Sequence, residues 1–566
     1  MKIILKEYLA SLRERGDLDK SVLPNLLSEM GLRVLNTPMI GTRQNGVDIA
    51  AVGKIKGDDK QRYLYLFCIK AGNITRSDWS TGVQGVRSEL DEIRDVYLRS
   101  NVAREYADLP IKICLCCGGE LEETALMNWA GYTDTHTTDR ISYEEWNGDR
   151  LADLMMRCLL ARELLDDEPR RNFQKAVAMV NEPSACCDYT RTFLGNLLLD
   201  EPISQKTQLL SLRQSFICLH AVISWAIEAN NLESTYRISE LGLLYCWNSL
   251  RKVKPWEKAS KHNSTLMLIL DQFLQLYLMA SEMYFEKTAY AHCETPHALS
   301  VAVKSREPVD VNLAMYELMG RLAMRGIWTD HLSKALSEAD SGRWRNALVV
   351  STMRALNTIV SLINTNPTLS SPIRDDHMIE IALVMYLAQL THSESRFLPW
   401  LKCISSRTTF ALIANAQYPT CLSDYADLLV HPKSKEQSYI DEACVGSILY
   451  PYIYFWMQYV ADEQELNAFT DRLSTVIPNC THQAWFPDEE SDELMWCGAT
   501  HHGICVPDLS PQNGLDALTF TLDQALATCT AIRTNSALEA GFIPLFLAAC
   551  RHYRLPIPPS FWFLPK

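Results

Sequence analysis

Two kinds of periodicity divide this 566-residue chain. Over residues 23–30, Leu23, Leu26, Leu27 and Met30 recur at the spacing that puts apolar side chains on one helical face, and Gly31 supplies a C-terminal stop. The runs that follow are short and rich in β-branched and aromatic residues: "LRVL", "VDIAAVG" and "RYLYLFCIKA", with "KGDDKQ" as a polar turn between the last two. Helical spacing returns with Val83, Val86, Leu90, Ile93 and Tyr97, while Arg87, Glu89, Asp91 and Arg94 fall on the polar side. A fourth strand is predicted at "IKICLCC", 111–117. After it come a helix around "EETALMNWAGY", a short strand "RISYEEW", and a helix opening at "NGDRLADLMMRCLLARELL".

From about residue 151 the strand signals nearly vanish. Long amphipathic runs such as "KTQLLSLRQSFICLHAVISWAIEA", "STLMLILDQFLQLYLMASEMYFE" and "RNALVVSTMRALNTIVSLINT" are separated by polar breaks, without a fixed repeat length. The expected fold class is an α/β N-terminal domain, a mixed sheet flanked by helices, followed by a large all-α domain. The boundaries read from the pattern are 1–155, 156–370 and 371–566, the last two readable as one continuous body, with "NTNPTLSSPIRDD" at 364–376 as the linker candidate.

Composition narrows the function classes. A formal net charge of -14 argues against a surface that is everywhere a nucleic-acid glove, so any phosphate contact has to be local. The N-terminal "MKIILKEYLASLRERG" carries charges where a secretory signal would be apolar, and the eighteen cysteines lie mostly within apolar runs, which fits reduced core thiols; a cytoplasmic setting is expected. The longest uncharged run, 443–461, is long enough to span a bilayer, but Pro451, Gln458 and its acidic flanks favour a buried helix and no membrane partner. No phosphate-binding glycine loop of the nucleotide enzymes is present.

The chemistry-bearing stretch is "GVDIAAVGKIKGDDKQRYLYLFCIKAGNI", 46–74. Asp48 opens one strand and Lys70 ends the next, with Cys68 two positions earlier on the same face of that strand. An acid and a lysine so placed are the parts that metal-assisted phosphodiester hydrolysis needs. The order of helix, strand, Asp in "GVDI", hairpin and x-Ile-Lys strand resembles the PD-(D/E)XK, or restriction-endonuclease-like, superfamily over roughly residues 1–155. The resemblance implies Asp48 as metal-binding acid, Lys70 as catalytic lysine and Mg²⁺ or Mn²⁺ as cofactor. Cys68 stands where the pattern has its second acid. Some relatives in that superfamily carry a substitute acid on the following helix, which nominates Glu89 or Glu92, with Gln84 in support. Arg76, Trp79 and Arg87 form a local basic and aromatic group suited to phosphate and base contacts. An ordinary hairpin with a small core cysteine is the alternative reading.

Two further motifs stand apart. "CTHQAWFPDEESDELMWCGATHHGIC" offers Cys480, His482, Cys497, His501, His502 and Cys505 as ligands for a structural Zn²⁺, but its first pair is C-x-H rather than C-x₂-C, which favours an ordinary loop. Arg213 and His220 resemble the arginine–histidine signature of HEPN ribonucleases. The expectation is a metal-dependent nuclease acting on DNA, joined to a helical sensor or oligomerisation region and working with another protein of an anti-phage defence system. An inactive nuclease-fold scaffold that binds nucleic acid or a partner is the second reading, and a HEPN-like RNase the third.

Overall fold

The computed structural model describes residues 5–6, 9–10, 12, 18–20, 22–36, 45–55, 61–80, 85–158, 167–199, 204–336, 342–498, 502–507 and 509–562. The chain divides into two compact units, one of Met1–Ser249 with Ala259–Tyr277, the other of Leu250–Lys258 with Leu278–Lys566. The first holds a mixed five-stranded sheet flanked by helices, and helices dominate the rest of the chain.

In the first unit, helix α1 (Leu23–Glu29) buries Leu23, Leu26 and Leu27 and stops at Gly31, whose φ of 88° is left-handed. Strands β1 (Arg33–Asn36), β2 (Ile49–Gly53), β3 (Tyr63–Lys70), β4 (Ile111–Cys117) and β5 (Ile141–Trp146) lie in sequence order across the sheet. The first three pair antiparallel and the last three parallel, so β3 is where the sense changes. Parallel pairing needs a crossover, and helices α2 (Arg76–Ser80) and α3 (Val86–Glu92) lie in the stretch between β3 and β4. Helix α4 (Glu123–His136) lies between β4 and β5, and α5 (Gly148–Cys158) follows β5.

Alternation along β3 sorts its side chains. Leu64, Leu66 and Cys68 join Val86, Leu90 and Ile93 in one core, whereas Tyr65 and Phe67 stack on the other face and meet Trp146, whose ring stands 5.0 Å from that of Phe67. Burial on both faces explains why β3 and β4 read as nearly continuous apolar runs.

Three helices, Thr207–Glu228, Lys261–Tyr290 and Trp344–Thr365, are long and apolar enough to cross a membrane by length and composition. The uncharged run at 443–461 is different: its helix covers only Leu449–Met457, every residue of it buried. Segment 364–376 lies inside the second unit, with Leu369 and Asp375 buried.

Asp375 ties that region together. Its carboxylate accepts from the Ile448 N–H (2.8 Å) and the Leu449 N–H (3.3 Å) at the start of the Leu449–Met457 helix, and from Ser447 Oγ. Burial pushes its pKa up to about 6 despite those donors. A raised carboxyl pKa means the folded state holds the proton more tightly than the unfolded one. The stabilisation is complete below the ordinary carboxylate pKa and is lost as pH rises through about 6. Its loss is worth roughly 3 kcal/mol. Asp375→Asn, which keeps the neutral shape, should therefore flatten the fall in melting temperature between about pH 4 and pH 6.5; parallel profiles for the two proteins would refute the assignment.

Candidate functional site

The site forms where β2, β3 and α3 meet. The β2–β3 ladder begins with Ile49 opposite Phe67, and Asp48 lies just before it, at a bend beside the end of β3. Asp48 is fastened to β3 twice: its N–H donates to Phe67 O (2.9 Å), and its Oδ2 accepts from the Ile69 N–H (2.8 Å). Lys70 follows two positions after Cys68, and its ammonium lies 2.8 Å from Glu89 Oε1 on α3. The Cys68 thiol donates to the other oxygen, Oε2, at 3.1 Å.

One glycine makes this approach possible. Gly46 has φ +80°, and a Cβ there would fall 2.3 Å from the backbone oxygen of Glu89. Helix α3 thus packs its main chain directly on the turn that leads into Asp48, bringing Glu89 over the end of β3. Val86, Leu90 and Ile93 anchor the helix in the core below.

Electrostatics and burial agree with this arrangement. Cys68 is wholly buried, and burial, reinforced by the negative charge of Glu89, holds its thiol pKa well above the ordinary value. It therefore stays a neutral S–H donor. Asp48, Lys70 and Glu89 are half-buried, reachable at the rim of the core. Asp78, beyond the end of β3, has its pKa lowered by the Thr75 N–H (2.9 Å) and hydroxyl (2.7 Å), and to a lesser degree by the Lys70 charge.

The residues nominated from sequence separate clearly. Asp48, Cys68, Lys70 and Glu89 come together; Glu92 ends α3 half-buried, but it is the Glu89 carboxylate that Lys70 and Cys68 engage. Gln84 and Val83 lie outside the described residues. Arg76 and Arg87 are exposed. Trp79 is a correction: its ring packs edge-on against Trp129 (6.5 Å) and Tyr132 (6.0 Å) in the core, because burying so large an apolar surface outweighs leaving it free to stack on a base.

The ribonuclease-like pair is also corrected. Arg213 is engaged by Glu29 in an ion pair, and His220 is buried with its ring 5.9 Å from that of Phe216, a packed core histidine. In the Cys/His stretch, His502 Nδ1 is 2.9 Å from Ser491 Oγ, Cys505 is exposed on the strand Ile504–Val506, and His501 lies outside the described residues. No group of three or more His, Cys, Asp or Glu side chains arranged to hold a metal ion occurs among the described residues.

Neither a protein-family model, nor a curated protein, nor a solved structure matches this chain. The site has to be judged on its own geometry.

Periodicity does not single out Gly46, although a glycine two residues before a strand-opening acid is a visible signal in the sequence. Gly46→Ala should lower stability by about 1–3 kcal/mol from the left-handed backbone alone, and more if α3 is displaced. Urea denaturation followed by tryptophan fluorescence measures this; a variant as stable as the parent would mean that α3 does not rest on residue 46.

Proposed function

We propose that the first unit is a nuclease of the PD-(D/E)XK type that hydrolyses DNA phosphodiester bonds with Mg²⁺ or Mn²⁺ at Asp48, Glu89 and Lys70. The observation that carries this reading is the meeting of Glu89, from the helix after the hairpin, with Lys70 at 2.8 Å, at the end of the strand whose Ile69 N–H is held by Asp48. Asp48 and Glu89 supply the hard oxygen donors such an ion prefers. Mg²⁺ retains several waters and is often held by only one or two protein carboxylates, so two acids without a third ligand fit it. A bound ion would neutralise charge on the scissile phosphate and lower the pKa of a water nucleophile.

The chain's own groups then have distinct tasks. Lys70 places a cation where negative charge accumulates on the phosphate and can orient the incoming water. Cys68 fills the position of a second acid with a neutral thiol that steadies the Glu89 carboxylate and cannot itself serve as a hard ligand. The exposed Arg76 and Arg87 provide a local positive surface for the strand on a chain that is acidic overall. In the same proposal the protein is cytoplasmic, and the helical remainder receives a signal or a partner protein, in the manner of an anti-phage defence effector.

One observation favours the scaffold reading instead: both oxygens of Glu89 are already occupied, by Lys70 and Cys68. Plasmid cleavage with Mg²⁺ or Mn²⁺ separates the two. Asp48→Ala, Lys70→Ala and Glu89→Ala should each reduce cutting at least about a hundredfold, as expected when a group stabilising developing charge is removed. Glu92→Ala and His220→Ala should leave it within a fewfold of the parent. Equal cutting by the parent and the first three variants would place the activity elsewhere, and a parent that never cuts would favour the scaffold.

A further inference from the structure

Both oxygens of the Glu89 carboxylate are engaged, Oε1 by the Lys70 ammonium at 2.8 Å and Oε2 by the Cys68 thiol at 3.1 Å. The two partners differ in kind. Cys68 is a neutral donor, wholly buried in β3, whereas Lys70 carries a full charge on the last residue of that strand, just before a bend. A carboxylate oxygen has two lone pairs, so hydrogen bonding alone does not bar an ion from it. Charge does. A divalent ion at the usual distance of about 2.1 Å from Oε1 would stand within about 5 Å of an ammonium held on the same oxygen. The Lys70 and Glu89 side chains are only 13 % and 19 % exposed, so water screens that repulsion poorly.

How each group is held decides which one gives way. Glu89 rides on α3, whose main chain rests on Gly46 and whose Val86 and Leu90 sit in the core. Cys68 is fixed in the middle of the sheet, opposite Leu115 of β4. Lys70 reaches Glu89 through a flexible four-carbon stem from the rim of that core. The ammonium is the part that can move.

We propose that Lys70 is an internal counter-ion for Glu89 that keeps the site closed to a divalent ion until the ammonium leaves. The proposal rests on the nuclease reading of Asp48, Glu89 and Lys70, and it gives the engaged carboxylate a role within that reading as the resting form of the site. Ion binding and lysine release become one exchange: Glu89 gives up the ammonium as it takes the ion, and Lys70 is set free for the phosphate that needs its charge. By reciprocity, an anion that draws Lys70 away favours ion binding to the same degree.

The test is Mn²⁺ binding by the full chain without nucleic acid, read from the electron paramagnetic resonance signal of the free ion, with folding checked by circular dichroism. Lys70→Met should bind one ion about tenfold more tightly than the parent, a coupling of ordinary size for two ligands of one group. Asp48→Ala in the same background should abolish that gain. Arg87→Met, which removes a positive charge from the same helix at an exposed position, should change affinity by less than about twofold. In the parent, Mn²⁺ should speed the labelling of Lys70 by an acylating reagent and leave that of Lys112, paired with Glu144, unchanged. If the parent binds Mn²⁺ and Lys70→Met binds it no more tightly, the counter-ion role is overturned and the metal site stands; if neither binds, both are overturned. An equal gain from Arg87→Met, a gain that survives Asp48→Ala, or Lys70 labelling indifferent to Mn²⁺ would each overturn the counter-ion role alone. Should Lys70→Met fail to fold, the labelling of the parent decides.

Discussion

The main chain of helix α3 lies on the turn at residues 45–47 with no side chain between them. A hydrogen atom at Gly46 is all that fits beneath the Glu89 carbonyl, where a methyl group would overlap it at 2.3 Å. A helix packed through ordinary side chains stands some 8–10 Å from its neighbour, too far for a glutamate to be shared by a lysine and a thiol at the edge of a sheet. The contacts of Glu89 follow from that closeness: Glu89 to Lys70 and Glu89 to Cys68, both near Asp48.

Closeness alone would be unfavourable if it left charge buried without partners. The arrangement avoids this by pairing. Glu89 has one oxygen on an ammonium and the other on a thiol, and Asp48 accepts a backbone N–H. The thiol at 68 matters for the same reason. A carboxylate in that wholly buried position would stand beside Glu89 and Asp48 with one lysine among three acids; a neutral S–H donor keeps the local charge balanced and still satisfies an oxygen. Cys68 thus trades a potential ligand for a better-compensated core.

The alternation of "RYLYLFCIKA" and "IKICLCC" announces strands because residues i and i+2 share a face, and both strands appear where the pattern puts them. The stripe of Val86, Leu90 and Ile93 likewise announces α3 and its buried side. Glu89, three residues after Val86 and one before Leu90, flanks that stripe; periodicity assigns it to the polar side, and only the tertiary approach turns it toward the sheet. Trp79 was misplaced because a tryptophan near basic residues has the same local pattern whether its ring faces solvent or the core, and the deciding partners, Trp129 and Tyr132, lie about fifty residues away in sequence. Arg213 likewise shows nothing in its own neighbourhood of Glu29, the partner that claims it.

The change from antiparallel to parallel pairing at β3 also orders events in time. Asp48 meets β3 through a hairpin, which closes locally and fast, whereas the outer side of β3 is completed only when Leu64 finds Ile111 across the intervening helices. On a ribosome, Asp48 and Lys70 emerge well before β4, so the half of the sheet that carries them waits with one edge open. Such an unfinished edge is sticky, and the short delay until residue 117 is delivered is when a nascent chain of this kind most needs a chaperone at hand.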